Sequence, residues 1–112
     1  MGGAHSRNKG AKWERDVAKA FATIYPDACR GIGQTRRGSD HADVEGTPYF
    51  CECKVGIRPN IYAAMAQAKA ATDGRPCMVV ARKNSTGGSA PSVDTVTLEL
   101  DVFLSLLRGE AP

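Results

Sequence analysis

The run ADVEGTPYFCECKV, residues 42–55, constrains the fold more than any other stretch of the chain. Residues 42–46 and 49–55 read as two strands, and Gly46-Thr47-Pro48 reads as the tight turn between them. Period-two alternation puts Tyr49, Cys51, Cys53 and Val55 on one face, and Phe50, Glu52 and Lys54 on the other. A turn centred between Thr47 and Pro48 sets Asp43 opposite Glu52, Val44 opposite Cys51 and Ala42 opposite Cys53. Two carboxylates facing each other across a hairpin repel, so this face calls for a positive group between them.

The rest of the chain supplies helices and strands to pack around that hairpin. Trp13, Val17, Ala20, Phe21 and Ile24 form one apolar stripe, which predicts a helix over residues 10–24. Ser6 or Asn8 can cap it, Pro26 ends it, and Glu14 lies on the border of the stripe. Residues 1–9 read as a loose basic arm. Residues 28–41 read as irregular, with a short strand near Cys29–Ile32. Residues 59–72 are Ala-rich and predict a second helix, with Pro59 near its first turn and Gly74 after its end. Cys77–Ala81 is a short apolar run expected as a buried strand, 84–92 a flexible loop, and Val93–Leu98 an alternating strand. Asp101 is expected to cap a short helix through Leu107. The order is α-β-β-β-α-β-β-α, which places the chain in the α/β class as an α+β mixed sheet flanked by helices. With 112 residues, 1–112 form a single domain.

A divalent cation is the usual answer to paired carboxylates. Hard cations such as Mg²⁺ take one or two carboxylates and complete their shell with water and phosphate oxygens. Lys54, two residues from Glu52 on the same face, can hold a phosphate or an attacking water, and Glu14 can supply a third carboxylate. These are the parts that phosphodiester hydrolysis needs. Asp40 is the alternative to Asp43, but its loop position lacks the cross-strand geometry. His5 and His41 are the only histidines, and no Ser-His-Asp or Cys-His arrangement competes. His41 adjoins the acidic centre and reads as a solvated loop residue. The four cysteines, Cys29, Cys51, Cys53 and Cys77, contain no C-x-x-C pair, and Cys51-x-Cys53 fits a strand better than a zinc knuckle.

An acidic helix residue, then Asp, then Glu-x-Lys on the next strand resembles the PD-(D/E)XK nuclease superfamily. Within it, the chain looks most like the small Holliday junction resolvases of archaeal and phage type. The stretches that carry the resemblance are GAKWERDVAKAF, RRGSDHADVEG, YFCECKVG and a following helix with Gln67, roughly residues 10–70. The resemblance implies a restriction-endonuclease-like core and a Mg²⁺-dependent DNA endonuclease for which Mn²⁺ can substitute. It implies Asp43 and Glu52 as metal ligands, with the backbone carbonyl of Cys53 joining them and Glu14 matching the acidic residue of the first helix. Lys54 would be the catalytic lysine, and Ser39 and Gln67 match DNA-facing positions. Ala42 stands where the superfamily name has proline, and Ala71 stands where a tyrosine often follows the glutamine. An exonuclease, a nicking or flap-type nuclease, and a non-catalytic nucleic-acid-binding module are the competing functions on this fold.

Charge fits a polyanionic partner. The net charge is +3, and Arg7, Lys9, Lys12, Arg15, Lys19, Arg30, Arg36 and Arg37 all fall in the first third. Arg36 and Arg37, just before Asp43, are the strongest candidates for forked phosphate contacts. Arg30, Lys69, Arg82, Lys83, Lys9 and Lys12 extend the expected DNA track. Resolution of a junction needs two symmetric cuts, so a homodimer is expected. No stretch approaches a membrane span and no apolar signal core is visible, so the expected setting is intracellular: the cytoplasm, or a host cell's cytoplasm if phage-encoded.

Overall fold

In the computed structural model, the described residues are 3–31, 41–85 and 91–112, with side chains from Asn8 onward. Helix α1 runs Gly3–Ala22 and presents Trp13, Val17, Ala18 and Phe21 to the core. It starts well before the expected residue 10, so the segment read as a loose arm is helical from Gly3. No proline interrupts residues 3–9, and extending an existing helix adds one hydrogen bond for each residue fixed. At the other end α1 stops before Ile24. Ile24 is 70% exposed, not part of the buried stripe, and Ala20 is exposed as well. Pro26 disfavours helical backbone just ahead of it, and the chain unwinds through turn bonds from Ile24 and Tyr25 to Phe21 O.

Strands β1 (Cys29–Arg30), β2 (Val44–Glu45), β3 (Phe50–Gly56), β4 (Cys77–Lys83) and β5 (Val93–Leu98) form one sheet in the order β1-β2-β3-β4-β5. β3 and β4 are parallel, and every other neighbouring pair is antiparallel. The parallel pair needs a crossover, which is helix α2 (Ile61–Ala71). Asn60 caps α2 by accepting the Ala63 N–H at 3.0 Å, so the helix begins at Ile61, two residues later than expected, and Pro59 lies just ahead of its first turn. Helix α3 (Leu100–Leu107) follows β5. Its N-cap is Glu99, which makes no side-chain cap bond, and Asp101, expected as the cap, sits in the first turn. The expected element order holds throughout, as a five-stranded mixed sheet with three helices. Among the described residues, no helix is long and apolar enough to cross a membrane.

Each face of the sheet carries its own core. Tyr49, Cys51, Cys53, Met78 and Val80 pack against Trp13 and Val17 of α1. Phe50, Cys77 and Val79 pack against Ala64, Met65 and Ala68 of α2. The alternation read along residues 49–55 therefore holds in space.

The turn between β2 and β3 is pinned from two sides. Thr47 Oγ1 accepts the Tyr49 N–H at 3.1 Å and donates to Tyr49 O at 3.0 Å. Arg75 reaches across from the start of β4, with its guanidinium 3.1 Å from Glu45 and over the Phe50 ring. Gly46 sits at φ 86°, and a Cβ there would lie 2.3 Å from Asp27 O. Only glycine meets both conditions. Gly46→Ala is expected to cost about 2 kcal/mol or more, read as a lower urea midpoint at unchanged m-value.

Candidate active site

Val44 pairs with Cys51, as the alternation requires. The Asp43 N–H also donates to Cys51 O, at 2.8 Å. Two consecutive residues thus address one residue of β3, which is the arrangement of a β-bulge. The bulge corrects the simple hairpin register. Asp43 is not set straight across from Glu52, and Ala42 does not face Cys53. Ala42 turns to the α2 side and packs with Phe50 and Val79. The Asp43 carboxylate is re-aimed along the strand, where its Oδ2 accepts the Cys53 N–H at 2.8 Å. The Asp43 carbonyl accepts from Gly31 N at 2.9 Å. Gly31 has no Cβ to obstruct this approach; one built there would lie 2.1 Å from Ala42 O.

The bulge still leaves Asp43 and Glu52 as electrostatic neighbours. Both are buried, at 8% and 6% exposure. Burial, and then the charge of Asp43, push the Glu52 carboxyl up to about 7; Glu14 adds to this and Lys54 opposes it. Lys54 is half-buried and follows Glu52 by two residues on β3. Burial and the surrounding carboxylates hold the Cys53 thiol far above the ordinary range, and burial pushes Cys51 up to about 11. Both remain neutral core thiols at physiological pH. Cys77 belongs to the α2 cluster and Cys29 is exposed on β1, so the four cysteines do not gather.

Glu14 approaches this centre from α1 but is already engaged. Arg30 Nε donates to Glu14 Oε1 at 2.6 Å. Both residues come from elements packed together, α1 and β1. Arg30 is therefore an ion-pair partner of Glu14 and not an open phosphate contact. Among the described residues, no three His, Cys, Asp or Glu side chains converge closely enough to hold a metal by themselves. Glu14 thus stands beside the Asp43–Glu52 pair and acts on it through its field.

The chain matches no family model, no curated protein and no solved structure. Its site is therefore read from geometry. Two hard, buried oxygen donors are present, with a main-chain segment at Cys53 beside them. One of the two, Glu52, keeps its proton to about pH 7 because it is buried and because the other is close. That donor set suits Mg²⁺ or Mn²⁺, which need only one or two carboxylates from the protein.

The expected DNA track is redistributed. Arg36, Arg37, Ser39 and Asp40 lie outside the described residues. Arg82 is already engaged. Its guanidinium holds Asp94 at 2.7 and 2.9 Å and stacks over the Trp13 ring, on the α1 side of the sheet. It packs the core edge and is turned away from Lys54. Lys69 is bound to Glu99 at 2.6 Å on the surface, and Lys12 to Asp16 at 3.1 Å. Lys9, Gln67 and His41 are exposed. Lys83 is exposed and lines a cleft of about 320 Å³ with Arg58, Ala81 and Thr95. Ala81 is the cross-strand partner of Lys54, so this cleft adjoins the Lys54 position. Sequence reasoning missed Arg58. Its signal was its place, a cation two residues past the end of the strand that carries Glu52 and Lys54.

Proposed function

We propose that the chain is a divalent-metal-dependent nuclease with a restriction-endonuclease-like core. Its substrate would be branched DNA, as for the small Holliday junction resolvases it resembles. The observation that carries this reading is the buried Asp43–Glu52 pair with Lys54 beside it. A fold gains little from burying two mutually repelling carboxylates, because each loses hydration and raises the other's proton affinity. The arrangement makes sense when a cation belongs between them. The order of helices and strands, and a parallel β3–β4 pair bridged by α2, agree with the same reading.

Asp43 and Glu52 would hold Mg²⁺ or Mn²⁺, with the Cys53 carbonyl as the nearby backbone donor. When bound, the ion supplies Lewis-acid activation of the phosphate and a hydroxide nucleophile at neutral pH. The chain's own groups do the rest. Glu52 must give up its proton before it can serve as a ligand, so cation affinity rises with pH through about 7. Lys54 places an ammonium beside the reacting phosphate, where it stabilises developing charge. Arg58 and Lys83 would hold the flanking phosphate backbone along the cleft next to Lys54. A homodimer would present two such centres for paired cuts.

The test is cleavage of a substrate panel: four-way junction, flap, nicked duplex, linear duplex and single strand. Paired nicks in opposing junction arms with Mg²⁺, and none with EDTA, are expected. Equal cutting of linear duplex would overturn the junction reading, and no cutting of any substrate would overturn the nuclease reading. Lys54→Ala is expected to lower single-turnover cleavage by about 10²-fold or more while junction affinity changes by less than about threefold.

A further inference from the structure

Helix α3 has apolar side chains on two sides. Val102 faces inward and packs against the α1-side core. Leu100, Phe103, Leu104 and Leu107 recur at i, i+3, i+4 and i+7 on the opposite side, which gives one continuous outward stripe. All four are exposed, from 41% at Leu104 to 71% at Leu100, and no residue of α3 is fully buried. The stripe continues onto the sheet, where Val96 of the edge strand β5 is 55% exposed. Phe103 and Leu106 flank Val96 in one groove of about 480 Å³. An amphipathic helix that turns its apolar stripe to water is unstable in isolation as a surface, so something covers it.

We infer that the outward stripe of α3 is a homodimer interface, occupied by α3 of a second copy packed antiparallel across a two-fold axis. Charge selects this occupant and this direction. Asp101 and Arg108 lie seven residues apart, on one flank of the stripe; within one chain Arg108 holds Glu110 at 2.9 Å, an exposed pair that it can exchange for or share with a carboxylate of the second copy. Antiparallel packing brings Arg108 of each copy to Asp101 of the other, twice, whereas parallel packing would put these flanks on opposite sides of the seam and leave both charges without a partner across it. The helix dipoles also oppose each other in the antiparallel arrangement. Size permits it. Covering the stripe with Leu106 and Val96 at its margin removes roughly 550 Å² from each copy, on the order of 1,100 Å² in all, which is the lower end of specific interfaces. An interface of one self-complementary patch is the usual construction of a two-fold dimer.

Sedimentation equilibrium on the full chain, without DNA or metal, tests this from about 1 to about 200 µM, which brackets a small interface. A reversible dimer of twice the protomer mass is expected. Leu107→Asp is expected to weaken it by about 100-fold or more with unchanged far-UV circular dichroism. Asp101→Arg and Arg108→Asp, both at exposed positions, should each weaken it about tenfold, and the double exchange should recover to within about threefold of the parent. Recovery is diagnostic because each substitution opposes the helix dipole, so the double variant has no reason to improve through α3 alone. A wild type that stays monomeric across the range would overturn the inference, as would a dimer unaffected by Leu107→Asp. A double exchange no tighter than the singles would overturn the antiparallel pairing. The inference does not rest on the nuclease reading: a dimer that cuts no substrate retains the first and loses the second.

Discussion

Glu52→Gln is expected to abolish cleavage and, in the metal-free protein, to raise stability at alkaline pH. The two effects have one cause. In the fold the Glu52 carboxyl keeps its proton to about 7, against an ordinary value of 4.5. Between those limits the folded state binds more protons than the unfolded state, so this group's favourable contribution is complete below 4.5 and lost as pH rises through about 7. The loss amounts to about 3 kcal/mol above pH 7. Gln cannot ionise, keeps the shape, and removes the repulsion from Asp43. Thermal melts in EDTA should therefore show parent and variant alike near pH 4.5. Near pH 8 the variant should melt on the order of 10 °C higher. Adding Mg²⁺ at pH 8 should raise the melting temperature of the parent and leave the variant unmoved. Cleavage should fall by about 10³-fold, since a neutral amide neither balances nor orients a cation as a carboxylate does. A variant that cuts at the parental rate would show that the catalytic centre lies elsewhere. A melting difference that is the same at both pH values would show that Glu52 is not held in its proton-bearing form.

The parts of this centre that rest on alternation were legible in the sequence, and the parts that rest on a single displaced residue were not. Tyr49, Cys51, Cys53 and Val55 share a face because strand periodicity is fixed at two, and Val44 opposite Cys51 follows from turn length. The bulge at Asp43 is a slip of one residue beside a strand of only two, too short for its pattern to reveal a change of phase. Yet the bulge turns the Asp43 carboxylate onto the Cys53 N–H and sends Ala42 to the other core. Long-range charge pairing was hidden for a different reason. Arg82 finds Asp94 because β4 and β5 pair in one particular register, and the loop between them carries no rule for that register. Glu14 meets Arg30 because α1 packs on β1, which no local pattern announces. The end of α1 was overestimated because Ile24 fits the stripe in sequence while Pro26 removes it in space.

Trp13→Ala is expected to be the most destabilising single substitution on the α1 side, at about 3–5 kcal/mol. Trp13 is the sole tryptophan and is 6% exposed, at the contact of α1 with the sheet. Its Nε1–H donates to Val80 O at 3.1 Å, and Arg82 covers its ring at 4.3 Å. Truncation removes the largest apolar group in that cluster, takes a donor from the centre of β4, and leaves the Arg82 guanidinium without its aromatic face. For a domain whose whole stability is on the order of 10 kcal/mol, this is a third to a half of it. Trp13→Phe keeps most of the volume and loses the hydrogen bond, so about 1–2 kcal/mol is expected. Urea titration followed by far-UV circular dichroism measures both variants, since neither retains the indole that reports unfolding in the parent. The order of the two losses separates packing from hydrogen bonding: equal losses would mean that the indole N–H, not the ring, fastens α1. The consequence reaches the carboxylate pair. Glu14 is the next residue on α1, and its ion pair with Arg30 depends on α1 lying where Trp13 holds it. Near the denaturation midpoint, Trp13→Ala should therefore lose cleavage no earlier than it loses helical signal, because α1 docking and the fold are one cooperative unit. Cleavage lost well before helicity would instead mean that α1 detaches while the sheet persists.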